Sequence, residues 1–342
     1  MRPILGKGAR VFVIAEISAN HCQSFNRAVK LIKEAKSCGA DSVKFQLYTP
    51  DTLTLDVNNK YFKIRHSKWK GQTLYQLYKK AYTPWSWFKR LKKIAQDQGL
   101  VFFATAYDKT SVDFLEKLGV DIHKIASFEL VDIPLIKYMA KTKKPLLISS
   151  GMAAQLEIKE ALTAARTSGA KEVVLLKCVS SYPASPSEMN LRTIPHMRKA
   201  FKVEVGLSDH TLGIAVAVAA VSLGAVVVEK HFTLSRSIKS PDSFFSLEPS
   251  EFKQLVENLR VVEKALGEVS YKLTPGQKKS KVFRRSLFVT KDIKRGLSFS
   301  EDNIRSVRPS YGLKPKYLED ILGKKARRAL KRGSPLTFKD VA

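Results

Sequence analysis

The stretch VEVGLSDHTLGIAVAVAAVSLGAVVVEKHFT, Val203–Thr233, contains the pattern that predicts the fold. A β-branched run leads into polar residues, an Ala/Val-rich segment of helical length, a glycine and a second β-branched run. This order is typical of a strand, a buried helix and a second strand parallel to the first. Its uncharged part, Leu212–Val228, is interrupted at Ser222-Leu223-Gly224-Ala225, so it predicts a helix, a turn and a strand instead of a membrane span.

The same alternation extends over most of the chain. Eight apolar runs are predicted strands: Val11–Ile17, Ser42–Gln46, Leu100–Ala106, Ile122–Ser127, Pro145–Gly151, Val173–Ser180, Val203–Ser208 and Ala225–Thr233. Amphipathic segments between and after them are predicted helices: Asn26–Ser37, Trp85–Gln98, Ser111–Leu118, Gln155–Ser168, Leu212–Leu223 and Glu251–Leu266. Eight such units predict an α/β protein with a (β/α)8 TIM barrel.

The pattern changes after Leu266, which predicts a second domain. Residues 271–283 are polar and contain Thr274-Pro275-Gly276, as expected of a linker between a barrel at 1–270 and a domain at 284–342. The last segment has short strand candidates at Ser286–Val289 and Ser334–Thr337 and little helical pattern. We therefore expect a small β-rich domain of about sixty residues.

Composition places the chain among ordinary globular proteins. Of its 342 residues, 44% are hydrophobic and 27% are charged, which excludes collagen, disordered and disulfide-scaffold classes. Three cysteines occur without a CxxC spacing, and the N-terminus lacks the apolar core of an export signal. These features predict a cytoplasmic protein.

The chain is strongly basic, with 60 Lys and Arg against 31 Asp and Glu and a formal net charge of +29. Such a charge raises nucleic acid as a partner. The basic residues are however spread as pairs, such as Lys278-Lys279 and Arg327-Arg328, without a long run or interleaved aromatics. We therefore favour a basic surface suited to anionic substrates, and expect neither nucleic acid nor membrane as a partner. A non-catalytic barrel that binds polyanions stays open as a remote alternative.

Polar residues end every predicted strand, which is where active sites of parallel barrels form. These residues are Glu16, Asn20, His21, Lys44, Gln46, Thr105, Lys124, Ser127, Ser149, Ser150, Ser180, Ser181, Tyr182, Ser208, Asp209, His210, Glu229, Lys230 and His231. Lys44 and Lys124 are accompanied by the hydroxyls of Thr105, Ser127, Ser149 and Ser208, a combination that suits a phosphate or carboxylate group. The substrate is therefore predicted to be anionic. The long segment Leu47–Lys80, rich in Tyr, Trp and Lys, is predicted to cover the site.

Two histidines, His210 and His231, end adjacent predicted strands near Glu16 and Glu229. They suit a divalent cation with open positions, although a pair of hydrogen-bonded loop histidines explains the same residues. His66, His123 and His196 have no such partner in the sequence.

The sequence also argues against several other kinds of catalytic site. Cys178 lies in an apolar strand with no positioned histidine in reach, so we interpret it as a buried, inert thiol. GxGxxG, Walker A and GxSxG motifs are missing from the sequence, which argues against the usual dinucleotide, NTP and α/β-hydrolase sites.

A family resemblance rests on six motifs. They are Ala15-Glu16-Ile17-Ser18-Ala19-Asn20-His21, Val43-Lys44-Phe45-Gln46, Lys124-Ile125-Ala126-Ser127, Ser149-Ser150-Gly151-Met152, Gly206-Leu207-Ser208-Asp209-His210-Thr211 and Glu229-Lys230-His231-Phe232. Together they resemble the sialic acid synthase family. Residues 284–342, beginning Arg284-Arg285-Ser286-Leu287, resemble its C-terminal antifreeze-protein-like (SAF) domain. Gly71–Tyr75, Ala81–Trp85, Ala126–Asp132 and Asn190–Pro195 are more similar to the pseudaminate-forming branch than to the neuraminate-forming branch.

The resemblance implies an enzyme that condenses phosphoenolpyruvate with 2,4-diacetamido-2,4,6-trideoxy-altrose, giving pseudaminic acid and phosphate with the help of Mn or Mg. An N-acetylneuraminate or legionaminate synthase with the same chemistry is the nearest alternative. Carried over by position, the resemblance implies that the metal ligands are His210 and His231 and the catalytic residues are Glu16, Glu229 and His231. It implies phosphoenolpyruvate contacts from Lys44, Thr105, Lys124, Ser127, Ser149, Ser180 and Ser208. It implies sugar contacts from Gln46, Tyr182, Asp242 and Arg308, the last supplied by the partner subunit of a domain-swapped homodimer.

The sequence departs from the family pattern at three places. Ser180 stands where neuraminate synthases have Asn, and Thr105-Ala106-Tyr107 replaces the commoner Thr-Pro-Phe. Lys239-Ser240 stands where the family usually has two glycines, which is expected to stiffen or recharge the loop that carries Asp242.

Overall fold

The parallel strands predicted from the apolar runs close into a barrel in the computed structural model, which describes residues 10–65 and 69–342. Within these residues eight strands follow one another around the barrel in chain order, each hydrogen-bonded to the next and β8 to β1. They are β1 Phe12–Glu16, β2 Ser42–Leu47, β3 Val101–Ala106, β4 His123–Ile125, β5 Leu146–Ser149, β6 Val173–Cys178, β7 Glu204–Asp209 and β8 Val227–His231. The predicted TIM barrel is confirmed.

Helices surround the strands. Those of the barrel unit are α1 Phe25–Ser37, α2 Pro50–Leu53, α3 Leu74–Ala81, α4 Phe88–Asp97, α5 Lys109–Leu118, α6 Ile133–Ala140, α7 Gln155–Thr167, α8 Thr193–Phe201, α9 Ala215–Ser222 and α10 Pro249–Leu266. The strands are buried on both faces, as expected of a parallel sheet whose outer side is covered by helices. In the described part of the chain, no helix is long and apolar enough to cross a membrane.

Two barrel helices, α6 and α8, were missed by the sequence analysis. Both are short and carry a proline in the first turn, Pro134 and Pro195, which weakens the helical pattern although proline is tolerated there. The helix predicted at Trp85–Gln98 begins with a 3-10 turn, Trp85–Trp87, before α4. The segment predicted as a covering loop contains helices α2 and α3, each capped by a threonine, Thr49 or Thr73.

The chain divides between Gly267 and Glu268 into two compact units. The second begins with a polar stretch that contains helix α11, Pro275–Ser280, which the sequence analysis took for an irregular linker. Strands β9 Ser286–Val289 and β10 Ile304–Val307 pair antiparallel, and α12 Leu318–Ile321 is the other helix of this unit. The strand predicted at Ser334–Thr337 is wrong, because Pro335 forms only an isolated bridge to Phe288. Proline lacks the N–H that would extend the ladder.

Gly206 gives a test of the packing between β7 and its neighbours. A Cβ at this position would lie 2.7 Å from the side chain of Leu176 and 2.7 Å from the carbonyl oxygen of Val227. We expect Gly206→Ala to cost about 1–3 kcal/mol of unfolding free energy, because the strand must shift to admit a methyl group. Calorimetry should show the Tm lowered by several degrees. Gly276→Ala is the control, since a Cβ there meets nothing closer than 4.0 Å; equal Tm values for both variants would contradict the tight packing.

Candidate active site

The C-terminal ends of the barrel strands enclose a cavity of about 380 Å³. Most of the predicted site residues line it, although they come from seven of the eight strands and the loops that follow them. They are Glu16, Lys44, Gln46, Thr105, Lys124, Ser127, Ser149, Tyr182, Ser208, His210, Glu229, His231 and Asp242. Parallel strands bring their ends to one mouth, so the spacing of these residues along the chain does not matter.

A buried cluster of opposite charges forms the floor of the cavity. Lys44 Nζ lies 2.7 Å from Glu16 Oε2 and 3.7 Å from Glu229 Oε2. Strand register explains the contacts, because Glu16 on β1 pairs with Lys44 on β2 and with His231 on β8. Lys44 also donates to Thr105 Oγ1 at 3.0 Å, and Ser208 donates to Glu229 Oε1 at 3.0 Å. Because these charged groups are buried, each of them is stabilised by its oppositely charged neighbours in place of water.

The two carboxyl groups of the cluster differ in proton affinity. Burial raises the pKa of Glu16 to about 7, an effect that Lys44 partly offsets and Glu229 adds to. Burial also opposes ionisation of Glu229, but Lys44, Lys124 and the Ser208 hydroxyl outweigh it and hold its pKa below the usual value. At neutral pH Glu229 is therefore ionised, whereas Glu16 is near its titration midpoint. Two carboxyls with separated pKa values are typical of acid and base pairs.

Lys124 is the second buried lysine of the floor. Its Nζ donates to Ser149 Oγ and to the carbonyl oxygen of Ile125, both at 2.7 Å, and burial lowers its pKa. Ser127 Oγ lies beside it in the cavity wall and accepts a hydrogen bond from Gly151 N–H at 3.1 Å. A buried cation with hydroxyl neighbours is a site for an anion, whose charge would stabilise the protonated amine.

The imidazoles of His210 and His231 face each other with ring centres 5.4 Å apart. His210 Nδ1 donates to the carbonyl oxygen of Val179 at 2.9 Å, which leaves its Nε2 free to act as a ligand. His231 Nδ1 is buried and has no hydrogen-bond partner among the described residues. The described residues contain no group of three or more His, Cys, Asp and Glu side chains arranged as a metal site. Any cation here would need further ligands from substrate or water.

Cys178 is buried as predicted, but a histidine lies beside it. Its Sγ is 3.8 Å from His210 Nδ1, because β6 and β7 are neighbours and Cys178 pairs with Ser208. The expectation that no histidine is positioned near this thiol is therefore wrong, since the two residues are brought together by strand pairing and not by sequence proximity.

An apolar wall completes the cavity opposite the charged floor, and the sequence analysis did not name its residues individually. It is formed by Tyr48, Leu53, Ile64, Trp69, Leu74, Leu77, Tyr78, Ala81, Tyr107 and Phe128. Most of them belong to the segment predicted to cover the site. Glu129 lies at the wall with its Oε2 buried and unpartnered within the described chain, and burial raises its pKa to about 7. The signal that identifies the wall is the aromatic content of residues 47–80.

Other polar strand-end residues do not line the cavity. His21 bonds to Thr83 Oγ1 at 2.9 Å and accepts from Gln23 N–H, and burial lowers its pKa to about 4, so it is a neutral structural histidine. Asp209 accepts a hydrogen bond from Lys230 Nζ at 2.6 Å in a buried ion pair.

Three serines among the candidates, Ser150, Ser180 and Ser181, are not part of the cavity lining. Ser150 donates to the carbonyl oxygen of Leu176, and Ser181 is exposed. Ser180, a predicted phosphoenolpyruvate contact, is not in the cavity lining; its Oγ lies next to Gly151. Arg308 belongs to the second unit, just after β10, and its role stays a prediction. His66 lies outside the described residues.

Comparison with known proteins identifies the protein family that the chain resembles. Residues 31–271 match the family described as NeuB family, and residues 284–342 match the SAF domain. Pseudaminic acid synthase of Campylobacter jejuni subsp. jejuni serotype O:2 is 45% identical over 327 residues, which cover 96% of this chain and 95% of the relative. Pseudaminic acid synthase of Helicobacter pylori is 41% identical over 330 residues, covering 96% and 97%.

A solved structure agrees with these matches. N-acetylneuraminic acid (sialic acid) synthetase from Leptospira borgpetersenii serovar Hardjo-bovis, in complex with citrate, superimposes with a TM-score of 0.72 at 31% identity, covering 81% of this chain and 92% of that one. The resemblance to sialic acid synthases and to the SAF domain is confirmed. The barrel match spans well over half of the sequence and the relatives cover nearly all of it, so the chain belongs to the NeuB family.

Proposed function

We propose that the protein is a synthase that joins phosphoenolpyruvate to 2,4-diacetamido-2,4,6-trideoxy-altrose and releases pseudaminic acid and phosphate. The relatives named as pseudaminic acid synthases over nearly the whole chain support this reaction. The observation that carries the proposal is that one cavity combines a charged floor, which contains two buried lysines, with an apolar wall. The floor suits a small dianion and the wall suits a sugar that carries methyl groups.

Phosphoenolpyruvate would bind at the floor. Lys44 and Lys124 supply positive charge, and hydroxyls of Thr105, Ser149 and Ser208 lie at hydrogen-bond distance from the charged groups. Such donors in a buried site bind phosphate and carboxylate oxygens more strongly than they would in water. Ser127 lines the cavity, and its hydroxyl would complete the set; the Ser180 hydroxyl lies beside it next to Gly151, outside the cavity lining.

The condensation forms one bond and breaks another around C2 and C3 of phosphoenolpyruvate. C3 attacks the sugar aldehyde carbon, whose oxygen becomes the hydroxyl group, and C2 is left with cationic character. A water oxygen then bonds to C2, and one proton of this water passes through Glu16, whose pKa of about 7 suits a general base, to the alkoxide formed from the aldehyde oxygen. The bond between C2 and the phosphate oxygen breaks, C2 becomes the carbonyl carbon of the product, and phosphate leaves with the second proton of the water. Ionised Glu229 would stabilise the cationic carbon electrostatically.

A divalent cation, Mn or Mg, would be held by His210 and His231. The partnerless Nδ1 of buried His231 and the facing imidazoles fit an incomplete donor set that is filled by substrate oxygens and water. When bound, such a cation polarises the sugar aldehyde. Burial keeps the pKa of His231 well below its usual value, so this imidazole is neutral, as a ligand must be.

The sugar would lie between Gln46, Tyr182 and Asp242 and the apolar wall. Gln46 donates to Glu16 Oε1 at 3.1 Å, and the Tyr182 ring is 4.5 Å from that of His210, so both groups lie next to the reaction centre. The aromatic and aliphatic wall favours the C6 methyl and the acetamido methyls over hydroxyl groups. This is the reason to prefer the deoxy diacetamido sugar to N-acetylmannosamine.

We also propose a cytoplasmic, domain-swapped homodimer. The three cysteines are unpaired, which suits a reducing compartment. In such a dimer Arg308 of the partner subunit would reach the sugar, an arrangement supported by the family resemblance.

Phosphate release identifies the sugar. We expect Mn-dependent release from phosphoenolpyruvate with the altrose-configured diacetamido sugar, and none with N-acetylmannosamine or the legionaminic precursor, measured in parallel by a phosphate assay. His231→Ala is the inactive control. Activity with another sugar would reassign the substrate, and silence of the wild type with all three would contradict the proposed synthase.

Metal removal tests the histidine pair. We expect EDTA to abolish turnover and added Mn or Mg to restore it, because residues 10–65 and 69–342 provide no group of three His, Cys, Asp or Glu ligands that would hold the cation tightly. Calorimetric titration should detect one Mn site per chain in the wild type and none in His210→Ala or His231→Ala. Exposed His196 provides the matched control, His196→Ala. Unchanged Mn binding in either cavity variant would remove that histidine from the ligand set.

Replacement of Lys124 distinguishes its contribution to phosphoenolpyruvate binding from its contribution to stability. Lys124→Met removes a buried cation, so the Tm should be unchanged or higher, whereas the KM for phosphoenolpyruvate should rise about 100-fold through loss of a charge-assisted contact. Lys93→Met, on the exposed face of α4, should leave both quantities unchanged. An unaltered KM in Lys124→Met would mean that the anion binds elsewhere.

A further inference from the structure

The loop after β8, residues 232–246, presents Asp242 to the cavity and is held at both of its ends by side chains. We call it the β8 loop. Asp242 Oδ2 accepts from Ser18 Oγ at 2.5 Å and from Ala19 N–H at 3.2 Å. Both donors belong to the turn Ser18–His21 that follows β1. The carboxylate of Asp242 is thus bound to a neighbouring strand end, and its orientation depends on where the loop backbone lies.

Ser240 organises the backbone on which Asp242 stands. Its Oγ accepts hydrogen bonds from Asp242 N–H at 3.2 Å and from Ser243 N–H at 2.9 Å. This is the local turn that serine hydroxyls form with the residues two and three positions ahead. The same hydroxyl donates to Asn20 Oδ1 at 2.5 Å, so one side-chain atom joins the turn to the β1 end.

Asn20 completes the link from the other side. Its Nδ2 donates to the carbonyl oxygen of Phe232 and to Ser246 Oγ, both at 2.9 Å. Ser246 Oγ in turn donates to the carbonyl oxygen of Asp242 at 2.7 Å. Asn20 is buried, so the two bonds that its Nδ2 donates are shielded from competition by solvent. The side-chain amide of Asn20 thus forms hydrogen bonds with the start, the middle and the end of the β8 loop, at Phe232, Ser240 and Ser246.

We infer that Ser240, together with Asn20, is a positioning residue that fixes Asp242 for contact with the sugar. The inference rests on the proposed function for the identity of the group that Asp242 meets. Where the family usually has two glycines, this chain has Lys239-Ser240, and a glycine at 240 has no hydroxyl for any of the three bonds. The Ser240 hydroxyl therefore adds three hydrogen bonds that restrain this loop.

The test compares Ser240→Gly with Ser237→Gly in the full-length protein. Ser237 lies in the same loop and is exposed, and its Oγ is 2.9 Å from Ser235 Oγ. Hydrogen exchange of the free protein should show the amides of Asp242 and Ser243 exchanging about tenfold faster in Ser240→Gly and unchanged in Ser237→Gly. Ser240→Thr keeps the hydroxyl and should restore protection.

Kinetics give the second measurement. Ser240→Gly should raise the KM for the sugar about three- to tenfold, with the KM for phosphoenolpyruvate and the Tm unchanged. Unchanged amide exchange and unchanged sugar KM would overturn the inference. A lowered Tm with both KM values altered equally would overturn it too, because that is the signature of a merely structural residue. If the wild type turns over no sugar, the proposed function fails separately, and amide exchange alone decides whether Ser240 fixes Asp242.

Discussion

Lys44 stands between two buried carboxylates, and the mouth of the barrel is organised around that contact. An ammonium group removed from water is tolerated only where opposite charge and hydrogen bonds replace its hydration. Glu16, 2.7 Å away, and Glu229, 3.7 Å away, supply the charge, and Thr105 supplies an acceptor. These partners come from β1, β8 and β3, so the cluster forms only when three strands keep their register with β2. A slip of one residue would turn Lys44 out of the barrel.

The cluster is incomplete without an anion. Lys124 is buried, and its direct hydrogen-bond partners are neutral oxygens. Burial disfavours its charged form and thereby lowers its pKa. Under the proposed function, a phosphate or carboxylate group that entered the floor would favour the protonated amine of Lys124. Burial of this cation would then contribute to the affinity for an anionic substrate.

Under the proposed function, the loops at the mouth of the barrel select the second molecule that binds in the cavity beside that anion. The segment 47–81 contributes aromatic and aliphatic side chains to the wall, whereas the β8 loop contributes Asp242 and is tied to the β1 turn through Asn20 and Ser240. Behind the cavity, the buried pair of Asp209 and Lys230 joins β7 to β8 immediately before His210 and His231. Under the proposed function, the strand-end residues of the floor carry out the reaction, whereas the loops of the wall select the sugar.

The sequence by itself determined the barrel, the small second domain and the set of polar residues at the strand ends, because apolar periodicity and glycine signals are local and survive without knowledge of the fold. It missed the helices whose first turn contains proline, because that residue weakens the helical pattern, and it placed a strand at Ser334–Thr337, where Pro335 lacks the N–H that would extend the ladder. Only the tertiary structure decided that His21 bonds to Thr83 away from the cavity, that Cys178 lies beside His210, and that Ser240 reaches Asn20. These contacts join residues from 32 to 220 positions apart, so their existence depends on strand order, register and the face on which each side chain emerges.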